Sequence, residues 1–248
     1  MIELHDLHFS WPDNKPSLRG LSFRIAAGEK VALLGANGSG KSTLLKVLDA
    51  LVFASHGHWV FEGRAVTAAL SRDATWARAF RRRVGLVFQD PSAMFFNPTV
   101  HDEIAYGPRR LGQPDAEARA EHWAACLGLQ GLAARVPHAL SGGQKQKLAL
   151  AAVLALEPEL LLLDEPAAHL DSASTGWLID ELAAEPRTVV LCTHSLALAQ
   201  AVAQRALVLG SQGQLVFDGP LKNLLAEKAV MEDAQLAVAS RCGHRGVS

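Results

Sequence analysis

The sequence has no long apolar run, few cysteines and almost no net charge, and each absence removes a class of function. Its longest apolar stretch, Leu148 to Leu156, falls far short of the ~20 residues needed to span a bilayer. The opening, MIELHDLHFS, carries neither the basic segment nor the apolar core of a secretory signal. The chain is therefore expected to be soluble, with any membrane role exercised through a partner. Its three cysteines, Cys126, Cys192 and Cys242, are widely spaced and form no CxxC pair. That usage argues against a disulfide framework and against thiolate metal ligation, and it fits a reducing compartment. A formal net charge of −1 gives no electrostatic basis for nucleic acid as a partner. Arg81, Arg82 and Arg83 form a local cluster that reads as a solvated face.

What is present is 248 residues of 49% hydrophobic composition, enough for one large α/β domain or a core with a smaller subdomain. The stretch from Gly35 to Thr43, GANGSGKST, organises the rest. Gly35, Gly40, Lys41 and Ser42 fit the pattern GxxxxGK[ST], between an apolar run (Val31 to Leu34) and a helix-like segment (Thr43 to Leu51). Glycines let successive amide N–H groups turn inward and leave room for phosphate oxygens. The following helix adds the positive end of its dipole at the same point. Lys41 would reach the β- and γ-phosphates of a nucleotide, and the Ser42 hydroxyl would bind Mg²⁺. The competing reading is a glycine-rich turn with a surface lysine.

Along the chain, Ile2 to Phe9 alternates apolar and polar residues with a break near Asp6, and Leu18 to Ile25 alternates again. WPDNKP between them is turn chemistry, so an antiparallel hairpin opens the chain. Trp11, at the end of the first strand, either packs on the hairpin edge or offers a flat ring for adenine. His58 to Phe61 and Gly63 to Val66 predict a second hairpin turning at Glu62-Gly63. Val84 to Phe88 reads as a buried strand ending at Gln89, where doubly wound sheets place ligand contacts. Thr99 to Asp102 opens a helix that runs toward Tyr106, GPRRLGQP breaks it, and Asp115 to Leu127 resumes helical pattern.

The interval of about 91–157 carries little strand signal and reads as a helical subdomain inserted between core strands. Ser141 N-caps a buried helix that stops before Pro158, with paired glycines exposing amides at its start. Leu160 to Leu163 lead to Asp164 and Glu165 at the tip of a buried strand. Asp164 would hold the Mg²⁺ shell, and Glu165 would orient and deprotonate a water aimed at the γ-phosphate. Thr188 to Cys192 is another buried strand, closed by Thr193 and His194; alone, such a histidine is usually structural. Leu207 to Gly210 and Leu215 to Phe217 predict a closing hairpin, Leu221 to Val238 a weakly amphipathic helix, and RCGHRGVS a polar tail.

Taken together, these residues resemble one family, the ATP-binding cassette (ABC) ATPases, from Trp11 to about Gly219. Trp11 falls at that family's adenine-stacking aromatic. Gly35 to Thr43 is similar to its Walker A loop, which implies ATP contacts from Gly35, Asn37, Gly38, Ser39, Gly40, Lys41, Ser42 and Thr43. Gln89 looks like the Q-loop glutamine, and Leu140 to Gln144, LSGGQ, is the signature sequence, which brings in Ser141, Gly142, Gly143 and Gln144. LLLLDE resembles the Walker B strand and catalytic glutamate, Asp171 the D-loop aspartate and His194 the switch histidine. The resemblance implies Glu165, His194 and Gln89 as catalytic residues and Ser42, Gln89 and Asp164 around Mg²⁺. One departure stands out: the usual EPTAGLDP reads EPAAHLDS, with Ala167, His169 and Ser172 in place of Thr, Gly and Pro.

VGLVFQDPSAMFFNPTVHDEIAYGPRRLG and SGGQKQKLALAAVLALEPELLLLDEP resemble the ATPases of energy-coupling factor (ECF) transporters, above all the cobalt and nickel branch. The resemblance implies a P-loop NTPase core with a mainly parallel sheet, an N-terminal antiparallel β-subdomain and an inserted helical subdomain. It places an ABC ATPase domain at 1–220 and a short C-terminal helical extension and tail at 221–248. The implied partners are a second ATPase subunit, favoured as an identical copy, a transmembrane coupling subunit received along 90–99, and a substrate-binding membrane subunit. The chain would then sit peripherally on the cytoplasmic face of the cell membrane. A P-loop kinase for a small molecule, and a module that binds ATP only to regulate, are the competing readings.

Overall fold

The computed structural model describes residues 1–12, 15–184 and 186–235, with the Asp233 side chain excepted. In chain order its first half runs β1 (Ile2–Ser10), β2 (Pro16–Ile25), β3 (Lys30–Gly35), α1 (Lys41–Leu48), β4 (His56–Phe61), β5 (Arg64–Ala65), α2 (Ala74–Arg83) and β6 (Val84–Val87). The second half runs α3 (Val100–Leu111), α4 (Ala116–Cys126), α5 (Gly142–Leu154), β7 (Leu160–Asp164), α6 (Ser172–Ala184), β8 (Thr188–Cys192), α7 (Leu196–Val202), β9 (Arg205–Leu209), β10 (Leu215–Pro220), α8 (Leu221–Leu224) and α9 (Lys228–Asp233).

The alternation in β1 buries Ile2, Leu4, Leu7 and Phe9 against Leu18, Leu21, Phe23 and Ile25 of β2, and the two strands pair antiparallel as expected. The break at Asp6 is a β-bulge: its φ is 47° and the register shifts between Leu4 and Leu7. Glu62 and Gly63, with φ of 50° and 75°, supply the two positive values of a tight hairpin turn between β4 and β5. These strands form an antiparallel sheet in the order β2-β1-β4-β5.

The second sheet has the order β10-β9-β3-β8-β7-β6, with β9 through β6 parallel and β10 closing antiparallel on β9. The apolar runs of β6, β7 and β8 are buried along their whole length, as strands covered on both faces must be. Parallel alignment brings Gly35, Val87, Asp164 and Cys192 out along one edge of the sheet, so the loops that follow meet there. Between β6 and β7 every regular element among the described residues is helical. There α3, α4 and α5 pack on one another around Ile104, Trp123, Leu148 and Leu150.

Three expectations are corrected. The helix after the P-loop runs from Lys41 to Leu48 rather than from Thr43 to Leu51, because it starts directly on Gly40. Helix α3 does not break at GPRRLGQP but continues through Gly107 and Pro108 to Leu111. Pro108 removes one helical N–H donor, yet it is buried, and Arg109 ties the last turn to Asp102 at 2.9 Å and Glu117 at 2.7 Å. Gly107 is closely packed, since a β-carbon there would stand 2.6 Å from Leu156 Cδ2 and that side chain would have to shift. The single C-terminal helix is two, α8 and α9, bent so that Leu221 and Leu224 on one and Met231 on the other all reach the cluster over Leu34 and Val208. Residues 236–248, with Cys242 and the polar tail, lie outside the described residues.

Candidate active site

The site grows from the carboxyl end of β3. Gly35 has φ of 145°, and a β-carbon on it would meet the Leu209 oxygen at 2.4 Å and Ser39 Oγ at 2.8 Å, so only glycine fits between β9 and the loop. Gly40, with φ of 97°, would likewise meet the Ser17 oxygen at 2.5 Å. Gly38 is different: its φ is 80° and nothing lies within 4 Å of its open side, which leaves the loop mouth clear for an oxygen-rich ligand. Helix α1 has no side-chain cap, so its first-turn amides face that mouth unspent. Lys41 is buried and its Nζ donates to the Gly35 and Ala36 oxygens, both at 2.8 Å. Thr43 is buried behind it and accepts from the Ser17 hydroxyl at 3.0 Å.

Around this loop lies a cleft of about 440 Å³. Trp11, Asn37, Gly38, Gly40, Lys41, Ser42 and Thr43 line one side. Gln89, Asp164, Glu165, Cys192 and His194 line the other. Gly35 and Ser39 stand behind the loop, where Ser39 Oγ is buried without a hydrogen-bond partner. The Trp11 ring meets Phe9 edge-on at 5.0 Å and has Lys46 Nζ 5.7 Å from its centre, so it packs on the hairpin and faces the cleft at once. A larger cavity of about 950 Å³ beside β9 and α8 holds none of the motif residues, and its Arg205 is spent on Glu29 and Asp218.

The acids at the end of β7 differ in environment. Asp164 is buried at the strand tip. Glu165 turns out of the strand with φ of 49°, a left-handed conformation that costs a non-glycine residue of order 1 kcal/mol or more. Its amide donates to the Cys192 oxygen at 2.9 Å, which holds it there. One carboxylate oxygen lies 3.3 Å from His194 Nε2, and the other accepts from the Thr193 hydroxyl at 3.3 Å. Burial raises the Glu165 carboxyl above its ordinary range, against the pull of His194 and the Thr193 hydroxyl. Burial also pushes the Cys192 thiol up, and Asp164 adds to it. A desolvated carboxylate beside an imidazole is suited to take a proton from water.

Cleft and signature do not meet. Ser141, Gly142, Gly143, Gln144 and Asp171 are all absent from the cleft lining. Ser141 caps α5 by accepting from the Gln144 amide at 3.4 Å, while the Gln144 side chain accepts from the Ser141 amide at 3.0 Å. That exchange leaves the amides of Gly142 and Gly143 as the donors of the first turn. Asp171 accepts from the Ser174 amide at 2.7 Å at the start of α6, and this bond holds its carboxyl below the usual range. Lys147 of α5 lies 3.8 Å from it. Signature and D-loop thus lie against each other, outside the lining of that cleft.

Sequence reading missed Lys15, Pro16, Ser17 and Cys192 as cleft-lining residues and Thr193 as the partner of Glu165. Only the position of Cys192 and Thr193 at a strand end could have marked them. It also passed over α2, α6 and α7, although Asp73, Asp171 and Ser195 stand where helix starts are signalled.

A glycine-rich loop between a parallel strand and a helix, facing acids at the tip of a neighbouring strand, defines a P-loop ATPase. Residues 18–168 match the ABC transporter family, and the chain belongs to it as an ATP-hydrolysing member. It is 43% identical over 243 residues to the nickel import ATP-binding protein of Rhodobacter capsulatus, across 95% of both chains. An energy-coupling factor transporter ATP-binding protein of Methanothermobacter thermautotrophicus is 37% identical, across 95% of this chain and 76% of that protein. The solved structure of cbiO1 from Clostridium perfringens, part of the ABC transporter complex cbiONQ, matches with a TM-score of 0.75 at 28% identity, over 96% of this chain and 95% of that one.

Proposed function

We propose that two copies of this chain pack head to tail around ATP, and that their closure powers import of a small substrate through an ECF-type transporter. A cobalt or nickel ion is the favoured cargo, with a vitamin the other candidate. The observation that carries the two-copy reading is the separation of Ser141, Gly143 and Asp171 from the cleft that holds Lys41 and Glu165. A second copy would supply those groups across the seam. The similarity to a nickel import ATP-binding protein and to an ECF transporter ATP-binding protein supports the choice of transporter and cargo.

In this reading Lys41 exchanges its bonds to the Gly35 and Ala36 oxygens for the β- and γ-phosphates. Trp11 stacks on adenine, and the amides of the loop and of α1 receive the phosphates. Among the described residues no group of three or more His, Cys, Asp or Glu could hold a metal by itself. That fits Mg²⁺, which binds through one or two protein oxygens, water and phosphate; Ser42, Asp164 and Gln89 share the cleft to hold it. Bound there, Mg²⁺ neutralises charge on the phosphates. Glu165 takes a proton from the attacking water, His194 holds Glu165 and faces the γ-phosphate, and Ser141 and Gly143 of the second copy close over it.

Only a γ-phosphate that binds the closed pair more tightly than the open one can drive closure. Gln89 would report the state of the cleft to residues 90–99, where a helix of the membrane partner docks. No helix among the described residues is long and apolar enough to cross a membrane, so attachment is peripheral in this reading. Purification of the chain with its membrane subunits, followed by ATP-dependent uptake of nickel, cobalt and vitamins into vesicles, tests the proposal. Uptake of one of them that stops with Lys41→Ala is expected; ATP hydrolysis without any transport would contradict it.

A further inference from the structure

Glu103 lies in the first turn of α3 with only 5% of its surface exposed, and among the described residues it forms no ion pair. One oxygen of its carboxylate accepts from two consecutive main-chain amides, Phe96 at 3.0 Å and Asn97 at 2.8 Å. Those amides belong to the last turn of the segment that leaves Gln89. A buried carboxyl group whose partners are main-chain donors fixes where that turn sits, because no other acceptor replaces it.

The turn presents a specific surface. Phe96 is 65% exposed, while its neighbour Phe95 is 7% exposed and belongs to the core beside Val100 and Ile104. The Phe96 ring meets Tyr106, three residues beyond Glu103 on the same helix, edge to face at 4.6 Å. Asn97 Nδ2 is buried without a hydrogen-bond partner. Thr99 caps the helix just beyond, its hydroxyl donating to Asp102 at 2.6 Å.

We propose that Glu103 is a positioning residue for coupling, which fastens the Phe96–Asn97 turn to α3 so that Phe96 and Tyr106 stand as one aromatic ridge for a helix of the membrane partner. The inference rests on the reading that residues 90–99 receive that partner. Two rings offer apolar contact to one face of a short amphipathic helix. With the turn fastened, movement that begins at Gln89 carries α3 along instead of being lost in a slack loop.

The full chain tests this with Glu103→Ala, Glu103→Gln and Phe96→Asp, read in two ways. In hydrogen exchange, Glu103→Ala is expected to speed exchange of the Phe96 and Asn97 amides roughly tenfold while α5 stays protected, and Glu103→Gln is expected to keep most of the protection. Steady-state ATP hydrolysis by the isolated chain is expected to keep its kcat and KM in all three variants. In native cells, the membrane-bound share of the tagged chain is expected to fall several-fold for Glu103→Ala and Phe96→Asp and to recover in Glu103→Gln. Unchanged exchange at the two amides in Glu103→Ala overturns the clamp, and so does loosening throughout α3 to α5, which would mark an ordinary folding role. Wild-type retention at the membrane by Glu103→Ala overturns the coupling role. A wild-type chain that never reaches the membrane overturns the docking reading and this inference with it, whereas the exchange result alone still separates the two failures.

Discussion

The main-chain oxygen of His169 stands 2.8 Å from where a β-carbon on Gly143 would be. D-loop and signature turn therefore touch through backbone, and glycine is required at 143 whatever its amide later binds. The histidine itself is incidental to this contact, because it adopts no positive φ and meets the glycine through its carbonyl.

Gly143→Ala should therefore force the two loops apart, costing about 1–3 kcal/mol and lowering ATP turnover at least tenfold. His169→Ala should leave stability within about 0.5 kcal/mol of wild type. Urea unfolding and a phosphate-release assay on both variants make the comparison, and a tolerated Gly143→Ala would contradict the tight approach.

Glu165 is the proposed base, with its backbone held in a strained conformation by the Cys192 oxygen and its carboxylate accepting from Thr193 beside His194. Glu165→Gln keeps its size and removes its basicity. Turnover should drop by about 10²–10⁴ while ATP binding persists, so that an ATP-bound pair of chains accumulates. Light scattering with and without ATP shows the pair; full turnover in the variant would remove Glu165 from that role.

Much of this site was legible because it is local. Gly35 to Thr43 needs only its own order to form the loop, and the four leucines before Asp164 are enough to bury a strand and expose its tip. The bulge at Asp6 showed as a break in alternation. Other features depend on contacts that no short stretch contains. Helix α3 survives Pro108 because Leu156 packs on Gly107 and Arg109 reaches Glu117 from the next helix. The left-handed turn at Glu165 is held by Cys192, distant in sequence, and the clamp by Glu103 needed the fold of a neighbouring loop onto α3.

Phe95 and Phe96, adjacent and chemically alike, illustrate the same limit, because one is core and one is surface. Placing charges on both would confuse docking with folding. Phe95→Asp should destabilise the chain by about 3–5 kcal/mol, and Phe96→Asp by less than about 1, with ATP hydrolysis by the isolated chain kept only in the second. Thermal unfolding and turnover of the two single variants check it; equal damage from both would place Phe96 in the core as well.

Asp49, half-buried at the C-terminal end of α1, has its carboxyl pushed up to about 7 by desolvation against the opposing pull of Arg81. Between its ordinary 3.8 and about 7 the folded chain keeps a proton that the unfolded chain has released. Stability contributed by this group is therefore present at low pH, falls as pH rises through that window and is flat above it. Asp49→Asn should remove the slope and stabilise the chain at pH 8 by on the order of 2 kcal/mol, with no gain at pH 4. Urea unfolding across that range decides it, and an equal gain at both ends would contradict the proton linkage.

Mixing two dead chains probes the shared site most directly. Lys41→Ala removes the lysine proposed to bind phosphate from one copy, and Ser141→Arg blocks the signature turn of the other. If each cleft is completed by a second molecule, random pairing of equal amounts rebuilds about one quarter of all sites intact, and ATP hydrolysis should return to about that fraction of wild type. A mixture as inactive as its two components, with pairing verified, would contradict the account.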